Sequence, residues 1–189
     1  MVDWNERYRT EPQPWGGEPA ALLPGLIEDL APGSAIDLGC GEGRNARWLA
    51  SLGWRVTAVD SSEQAIANAR ESDPEGRIRW TVADATTWHP EERVDLVLVS
   101  YLHLPAEALA ALIRGAGHWL SPTGTMLYLG HARENLENGV GGPPDPSVLP
   151  TVALLAEAAA GLRVEQLHHQ FRSTPKGRAI DVVLRARPW

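Results

Sequence analysis

One stretch constrains the fold of this chain more than any other: Ala35-Ile36-Asp37-Leu38-Gly39-Cys40-Gly41-Glu42-Gly43-Arg44-Asn45. It reads as a short apolar strand, a glycine turn and the start of a helix. Gly39 and Gly41, without Cβ atoms, let the chain turn tightly and let a ligand come close to the backbone. Such a strand-to-helix turn is also expected to point free N–H groups outward. Units of this kind build parallel sheets with crossover helices, and the rest of the chain repeats the alternation.

The pattern predicts strands over 35–38, 55–60, 78–82, 94–100, 125–130, 164–171 and 179–186, and helices over 18–30, 43–52, 62–71, 106–119 and 151–160. The run from Val94 to Val99 is almost wholly apolar, as a central strand covered on both faces requires. Ser62 is placed to cap its helix, and Gly53 to end the preceding one in the left-handed region. The link 172–178 is too short for a crossover helix, so the last two strands should form an antiparallel hairpin. The expected fold is α/β: a Rossmann-like, seven-stranded sheet, mostly parallel with a C-terminal antiparallel hairpin and helices on both faces. Segment 135–150, with Gly139, Gly141, Gly142, Pro143, Pro144, Pro146 and Pro150, should hold no regular helix or strand interior. It reads either as a lid over an active site or as a plain surface connector.

A chain of 189 residues fits one domain, taken as 1–189. No apolar run reaches membrane-span length, and the N-terminus lacks the basic and apolar regions of a signal peptide. A single cysteine, Cys40, excludes an internal disulfide, and a cytoplasmic location is the simplest expectation. The net charge of -7 argues against a nucleic-acid groove. Arg172, Lys176, Arg178, Arg185 and Arg187 read as solvated ends of the terminal hairpin. A small-molecule partner is expected, with neither nucleic acid nor membrane; oligomeric state is open.

Three carboxylates give the glycine turn its meaning. Asp37 lies two residues before Gly39, where it would repel a pyrophosphate but favour a sulfonium ligand bearing an α-ammonium group. Asp60 ends the second strand, where a carboxylate can accept hydrogen bonds from both ribose hydroxyls. Asp84, in Ala83-Asp84-Ala85 after the third strand, can read the amino edge of an adenine. A dinucleotide fingerprint needs glycine at the sixth position, which here is Arg44, so a nicotinamide-dependent reductase is disfavoured. A non-catalytic module that kept the ligand pocket is the other alternative. No metal signature, serine elbow or P-loop lysine is present.

This stretch, with Val59-Asp60-Ser61-Ser62 and Ala65-Ile66-Ala67-Asn68-Ala69, resembles class I S-adenosylmethionine-dependent methyltransferases. Gly43-Arg44-Asn45, and Trp4-Asn5-Glu6-Arg7-Tyr8 followed by Pro14-Trp15, are similar to the tellurite-resistance and thiopurine methyltransferase group. The resemblance implies S-adenosylmethionine as cofactor, S-adenosylhomocysteine as product and methyl transfer to a small molecule. It implies that Gly39, Cys40 and Gly41 contact the amino acid part of the cofactor, with Asp37 nearby. Asp60 and Ser61 would hold the ribose, and Asp84 with Ala85 the adenine. Arg44 or Asn45 would reach the methionine carboxylate. Tyr8 and Trp15 would close over the top, within a covering segment 1–30, although Trp15 also reads as a core anchor.

Ligands of open parallel sheets bind outside the carboxyl ends of the strands. The reaction is therefore expected near Ser100-Tyr101-Leu102-His103 and Gly130-His131-Ala132-Arg133, with 131–150 as the candidate lid. Ser100 is expected beside the cofactor. His103 and His131 are the candidate bases, since imidazole titrates near neutrality, and Tyr101 can orient or deprotonate a substrate. Either histidine reads equally well as a packing residue. Arg133 is a candidate for an anionic substrate group, or for a surface pair with Glu134 or Glu137. His168 and His169 share a strand and face opposite ways, which makes them poor partners in one site.

Overall fold

The computed structural model describes residues 3–189. Its strands are β1 (Ser34–Leu38), β2 (Arg55–Asp60), β3 (Arg79–Val82), β4 (Val94–Ser100), β5 (Leu120–His131), β6 (Arg163–Thr174) and β7 (Gly177–Arg187). They form a seven-stranded sheet in the order β3-β2-β1-β4-β5-β7-β6. The α/β class, the mostly parallel sheet and the antiparallel C-terminal strands are as the sequence predicts. The helices are α1 (Trp4–Thr10), α2 (Leu23–Ile27), α3 (Arg44–Ser51), α4 (Glu63–Glu71), α5 (Ala106–Gly117), α6 (Asn135–Asn138) and α7 (Val152–Ala158). The chain divides into two compact units at Trp88/His89.

In the first unit β2 pairs in parallel with β1 and β3, and α3 and α4 make the crossovers. Ile36, Leu38, Ala58 and Val59 bury against this sheet, with Leu49 from α3 and Ile66 from α4 fully buried. Ser62 caps α4 by accepting from Ala65 N at 3.1 Å, and Gly53 follows α3 with φ +91°. Two expectations fail here. The predicted helix over 18–30 shrinks to α2, which starts with Pro24 in its first turn, where a proline is tolerated and a longer helix before it is not. Conversely, Trp4–Thr10 is helical: Asp3 accepts from Glu6 N, an N-cap followed three residues later by an acid.

In the second unit β4 and β5 run parallel through α5, and β7 inserts antiparallel between β5 and β6. Leu96–Val99, Met126–Leu129 and Val182–Leu184 are fully buried. The β6–β7 link is tighter than expected, only Pro175 and Lys176 separating the strands. The C-terminal arginines are not merely solvated. Arg172 pairs with Asp181, Arg185 and Arg187 with Glu165, and Arg178 stacks on Phe171. Segment 135–150 opens with a helical turn, α6, and carries a 3-10 turn at Pro146–Val148, so its glycines and prolines confine helix without abolishing it.

Asn135 fixes that segment. Its Oδ1 accepts from Ile180 N at 2.7 Å and its Nδ2 donates to Gly141 O at 2.8 Å. The residue is buried. Asn135→Ala strands the Ile180 N–H away from solvent and should cost about 1–3 kcal/mol of stability in urea denaturation.

Candidate functional site

In the first unit the glycine turn is tied back to the sheet. Gly39 N and Cys40 N both donate to Val59 O, at 2.8 and 3.0 Å, and Gly43 N donates to Cys40 O. Gly41 N donates to Asp60 Oδ2 at 2.8 Å. These four donors are thus turned inward on the turn and on β2, while the helix α3 starts without a side-chain cap. Gly41 (φ +54°) and Gly43 (φ +77°) need glycine for conformation and for space. A Cβ on Gly41 would lie 2.5 Å from the Tyr8 hydroxyl, and one on Gly43 would overlap the Trp80 ring.

Beneath the turn lies Asp37, 1% exposed, with neither carboxylate oxygen in a hydrogen bond of full geometry. Burial, with the charge of Asp60 second, pushes its pKa up to about 7. Asp60 is also raised by burial, although N–H groups including Gly41 and Ser62 offset part of the effect. Its Oδ1 accepts from Ser62 N at 2.8 Å. Asp60 thus locks the turn to the start of α4 while each oxygen keeps a second lone pair for a ligand. Ser61 beside it is exposed.

The other expected residues divide into two groups. Asn45 is buried and accepts from Ala20 N at 2.8 Å, while Arg44 donates to Trp15 O at 3.0 Å. Both anchor the N-terminal segment. Trp15 is 40% exposed, edge-on to Trp4 and beneath the Arg7 guanidinium, which excludes the core-anchor alternative. Tyr8 rests over Gly41, and burial, then Asp60, raises its pKa. Cys40 is buried, with its thiol pushed up by burial and then by Asp37, so it is no nucleophile. Asp84 is exposed and accepts from Thr86 N and Oγ1 at 2.8 and 2.7 Å, while Ala85 is buried.

Glu42 was not anticipated. Its carboxylate accepts from Gln13 N at 2.6 Å and Asn68 Nδ2 at 2.7 Å. Asn5 Oδ1 accepts from Ser62 Oγ and Gln64 N, which joins α1 to the start of α4. An acid inside a glycine turn was the available signal for Glu42; Asn5 offered none.

The second unit gathers Tyr101, His103 and His131 around a residue the sequence did not reveal. Asp181, fully buried, stands opposite His131 in the β5–β7 register. Its Oδ1 lies 3.1 Å from His131 Nδ1; its Oδ2 accepts from the Tyr101 hydroxyl at 2.9 Å and from Arg172 Nε at 2.8 Å. Burial works against ionisation of Asp181, but the contacts from His131 and Arg172 outweigh it and hold its pKa below the ordinary value. The Tyr101 hydroxyl is raised by burial and then by Asp181, so Tyr101 is an orienting donor and not a base, which corrects the broader expectation. Its φ of +55° is strained for a bulky residue. The His103 ring lies parallel to His131, 5.9 Å between centroids; burial, then His131, pushes it down to about 4, and its Nε2 is buried without a partner. Ser100 Oγ, at the end of β4, is buried and unpartnered too.

Arg133 is turned elsewhere: its side chain donates to Pro146 O and its backbone to Pro150 O, so it braces the segment after β5. The surface-pair alternative also fails for Glu134, which lies 3.1 Å from His169 Nε2. A Cβ at Gly142 would sit 2.8 Å from the His131 ring, so that segment packs on the histidine. Among the described residues, no group of three or more His, Cys, Asp or Glu can hold a metal ion.

Residues 35–124 match the model of a methyltransferase domain. That match spans just under half of the chain, and over it the chain is similar to methyltransferases. A trans-aconitate 2-methyltransferase of Methylobacterium radiotolerans is 36% identical over 99 residues, covering 51% of this chain and 37% of that protein. Thiocyanate methyltransferase 1 of Arabidopsis thaliana is 30% identical over 150 residues, 75% of this chain and 65% of the relative. The chain thus spans less than two thirds of either. TehB from Haemophilus influenzae shares the fold, with a TM-score of 0.77 at 18% identity, over 100% of this chain and 68% of that one.

Asp37 gives stability a pH dependence of definite sign. The folded protein keeps this proton up to about pH 7, whereas the group ordinarily releases it near 3.8. The folded state therefore binds more protons between these values, and stability falls as pH rises through the interval. Asp37→Asn should stabilise the ligand-free protein at pH 8 by up to roughly 4 kcal/mol, an advantage that disappears by pH 4. Paired urea titrations across this range check it. Gly43→Ala should destabilise by about 1–3 kcal/mol, through strain at positive φ and collision with Trp80.

Proposed function

We propose that this protein transfers a methyl group from S-adenosylmethionine to a small-molecule acceptor. The observation that carries the reading is the buried Asp37, neither of whose oxygens has a hydrogen bond of full geometry, under a glycine turn four of whose N–H groups point inward. That surface repels a phosphate and favours a positively charged ligand.

Asp37 with Gly39, Cys40 and Gly41 would hold the amino acid part of the cofactor. Asp60 and Ser61 would hold the ribose, and Asp84 with Ala85 the adenine. Tyr8 and Trp15, within segment 1–30, would cover it, and Ser100 would lie beside it. When bound, the cofactor supplies an electrophilic methyl on a sulfonium, whose departure leaves a neutral thioether. The protein then has to hold the acceptor in line with that methyl, a contribution worth up to ~7–11 kcal/mol. Tyr101, His103 and His131, at the carboxyl ends of β4 and β5, are the acceptor-side groups, and segment 131–150 their cover. The whole chain is read as one functional domain, working in the cytoplasm on a small molecule and not on nucleic acid or membrane. No helix of the described residues is long and apolar enough to cross a membrane.

Calorimetry should show S-adenosylhomocysteine binding and no NAD binding; the reverse overturns the reading. Asp60→Ala should weaken S-adenosylhomocysteine by at least about tenfold, or 1.4 kcal/mol. Binding without transfer of labelled methyl to any acceptor in a broad panel would leave a non-catalytic module.

A further inference from the structure

We propose that His131 takes the proton from a neutral, protic acceptor through its Nε2, and that Asp181 is the positioning residue that fixes the imidazole for this task. The proposal rests on the methyl-transfer reading above and names the acceptor class: a hydroxyl or thiol, in preference to a preformed anion.

The geometry supplies the argument. Register sets Asp181 opposite His131, with Oδ1 3.1 Å from Nδ1. The contact is an ion-pair distance and not a hydrogen bond of full geometry, and a buried carboxylate that close draws the proton to Nδ1 by its charge and leaves Nε2 as the basic nitrogen. Asp181 is itself fixed, because Oδ2 accepts from both Tyr101 and Arg172. The ring is held edge-on by Tyr101, parallel by His103 and from the loop side by Gly142. Arg172, the cation of this cluster, is spent on Asp181. Arg133 and Glu134, on the segment that follows His131, are engaged with Pro146 O and His169. An anionic acceptor would meet an imidazole pair and an arginine already paired with Asp181. A neutral acceptor meets a base.

In the step, the acceptor O–H or S–H bond breaks and its proton passes to His131 Nε2. The freed electron pair forms the new bond to the methyl carbon of S-adenosylmethionine. The methyl–sulfur bond breaks with its electrons going to sulfur, and the imidazolium is paired with Asp181.

Nitrogen-15 spectra of histidine-labelled protein test the assignment without turnover, His131 being identified by the signal lost in His131→Gln. The wild type should show Nδ1 protonated and Nε2 bare near pH 8, and Asp181→Asn should lose that preference. Nε2 protonated in the wild type, or a tautomer indifferent to Asp181→Asn, overturns the proposal. Phenol, 2-mercaptoethanol, thiocyanate and iodide serve as probe acceptors. Phenol or 2-mercaptoethanol should be methylated faster than either anion, and the opposite order overturns the proposal. Asp181→Asn and His131→Gln should each lower kcat on the neutral probes by about 10²–10⁴-fold with little change in KM. An equal change in both variants confined to KM also overturns it. If no probe is methylated, the tautomer decides. S-adenosylhomocysteine binding, measured on the same samples, separates the two readings: its absence sinks methyl transfer itself, while normal binding with the wrong tautomer sinks only the role of His131 and Asp181.

Discussion

A carboxylate buried without a hydrogen bond of full geometry is the constraint on which the N-terminal unit depends. Removing Asp37 from water disfavours its charge, and the Arg44 guanidinium and the Ala46 N–H offset only part of that cost. The chain meets this cost in part by keeping a proton, which the rise to about 7 expresses. A ligand that brings positive charge relieves the same penalty, so binding and stability are linked through one side chain. The turn above is built consistently with this. Its N–H groups close on Val59 O, Cys40 O and Asp60, which leaves the region acidic where a phosphate-binding turn would be rich in donors.

The second unit treats its buried acid in the opposite way. Asp181 receives Arg172 and Tyr101 and meets His131, and its pKa falls despite full burial. The same residue type is therefore pushed toward its neutral form at position 37 and held as an anion at 181. The difference lies in the donors that the surrounding strands deliver. β6 brings Arg172, the residue after β4 brings Tyr101, and β5 ends on His131. Tyr101 at positive φ is consistent with a backbone held against its preference so that its hydroxyl reaches Asp181.

Local signals made the first of these units readable from the sequence and left the second partly hidden. Gly39-Cys40-Gly41, Asp37 and Asp60 lie within 24 residues of one another, and strand periodicity alone brings them together. That Asn45 and Arg44 also hold Ala20 and Trp15 was hidden, because nothing in a helix start reveals that those residues will come to it. Asp181 escaped notice because one acid in Ala179-Ile180-Asp181-Val182 looks like an ordinary alternation, and its partners are 9, 50 and 80 residues away in sequence. Only the antiparallel register of β5 and β7 joins them. The helix at Trp4–Thr10 was legible through Asp3 and Glu6; the segment after β5 was not, since a high density of glycine and proline hid the turn that Asn135 anchors.

The N-terminal helix is fastened within its unit by polar contacts and not by apolar burial. Helix α1 has no buried residue. It is held through Asn5 to Ser62 and Gln64, through Asn68 to Tyr8 O, and through Glu42 to Gln13 N. Water can replace each of these bonds, and a typical one contributes a net ~0.5–1.5 kcal/mol. Detaching a segment fastened in this way costs far less than pulling an apolar helix from a core. Tyr8 nevertheless fills the space over Gly41 closely enough to exclude a Cβ. The strands of the same unit are held differently, by the burial of Ile36, Leu38 and Val59, so the two layers differ in what it costs to part them.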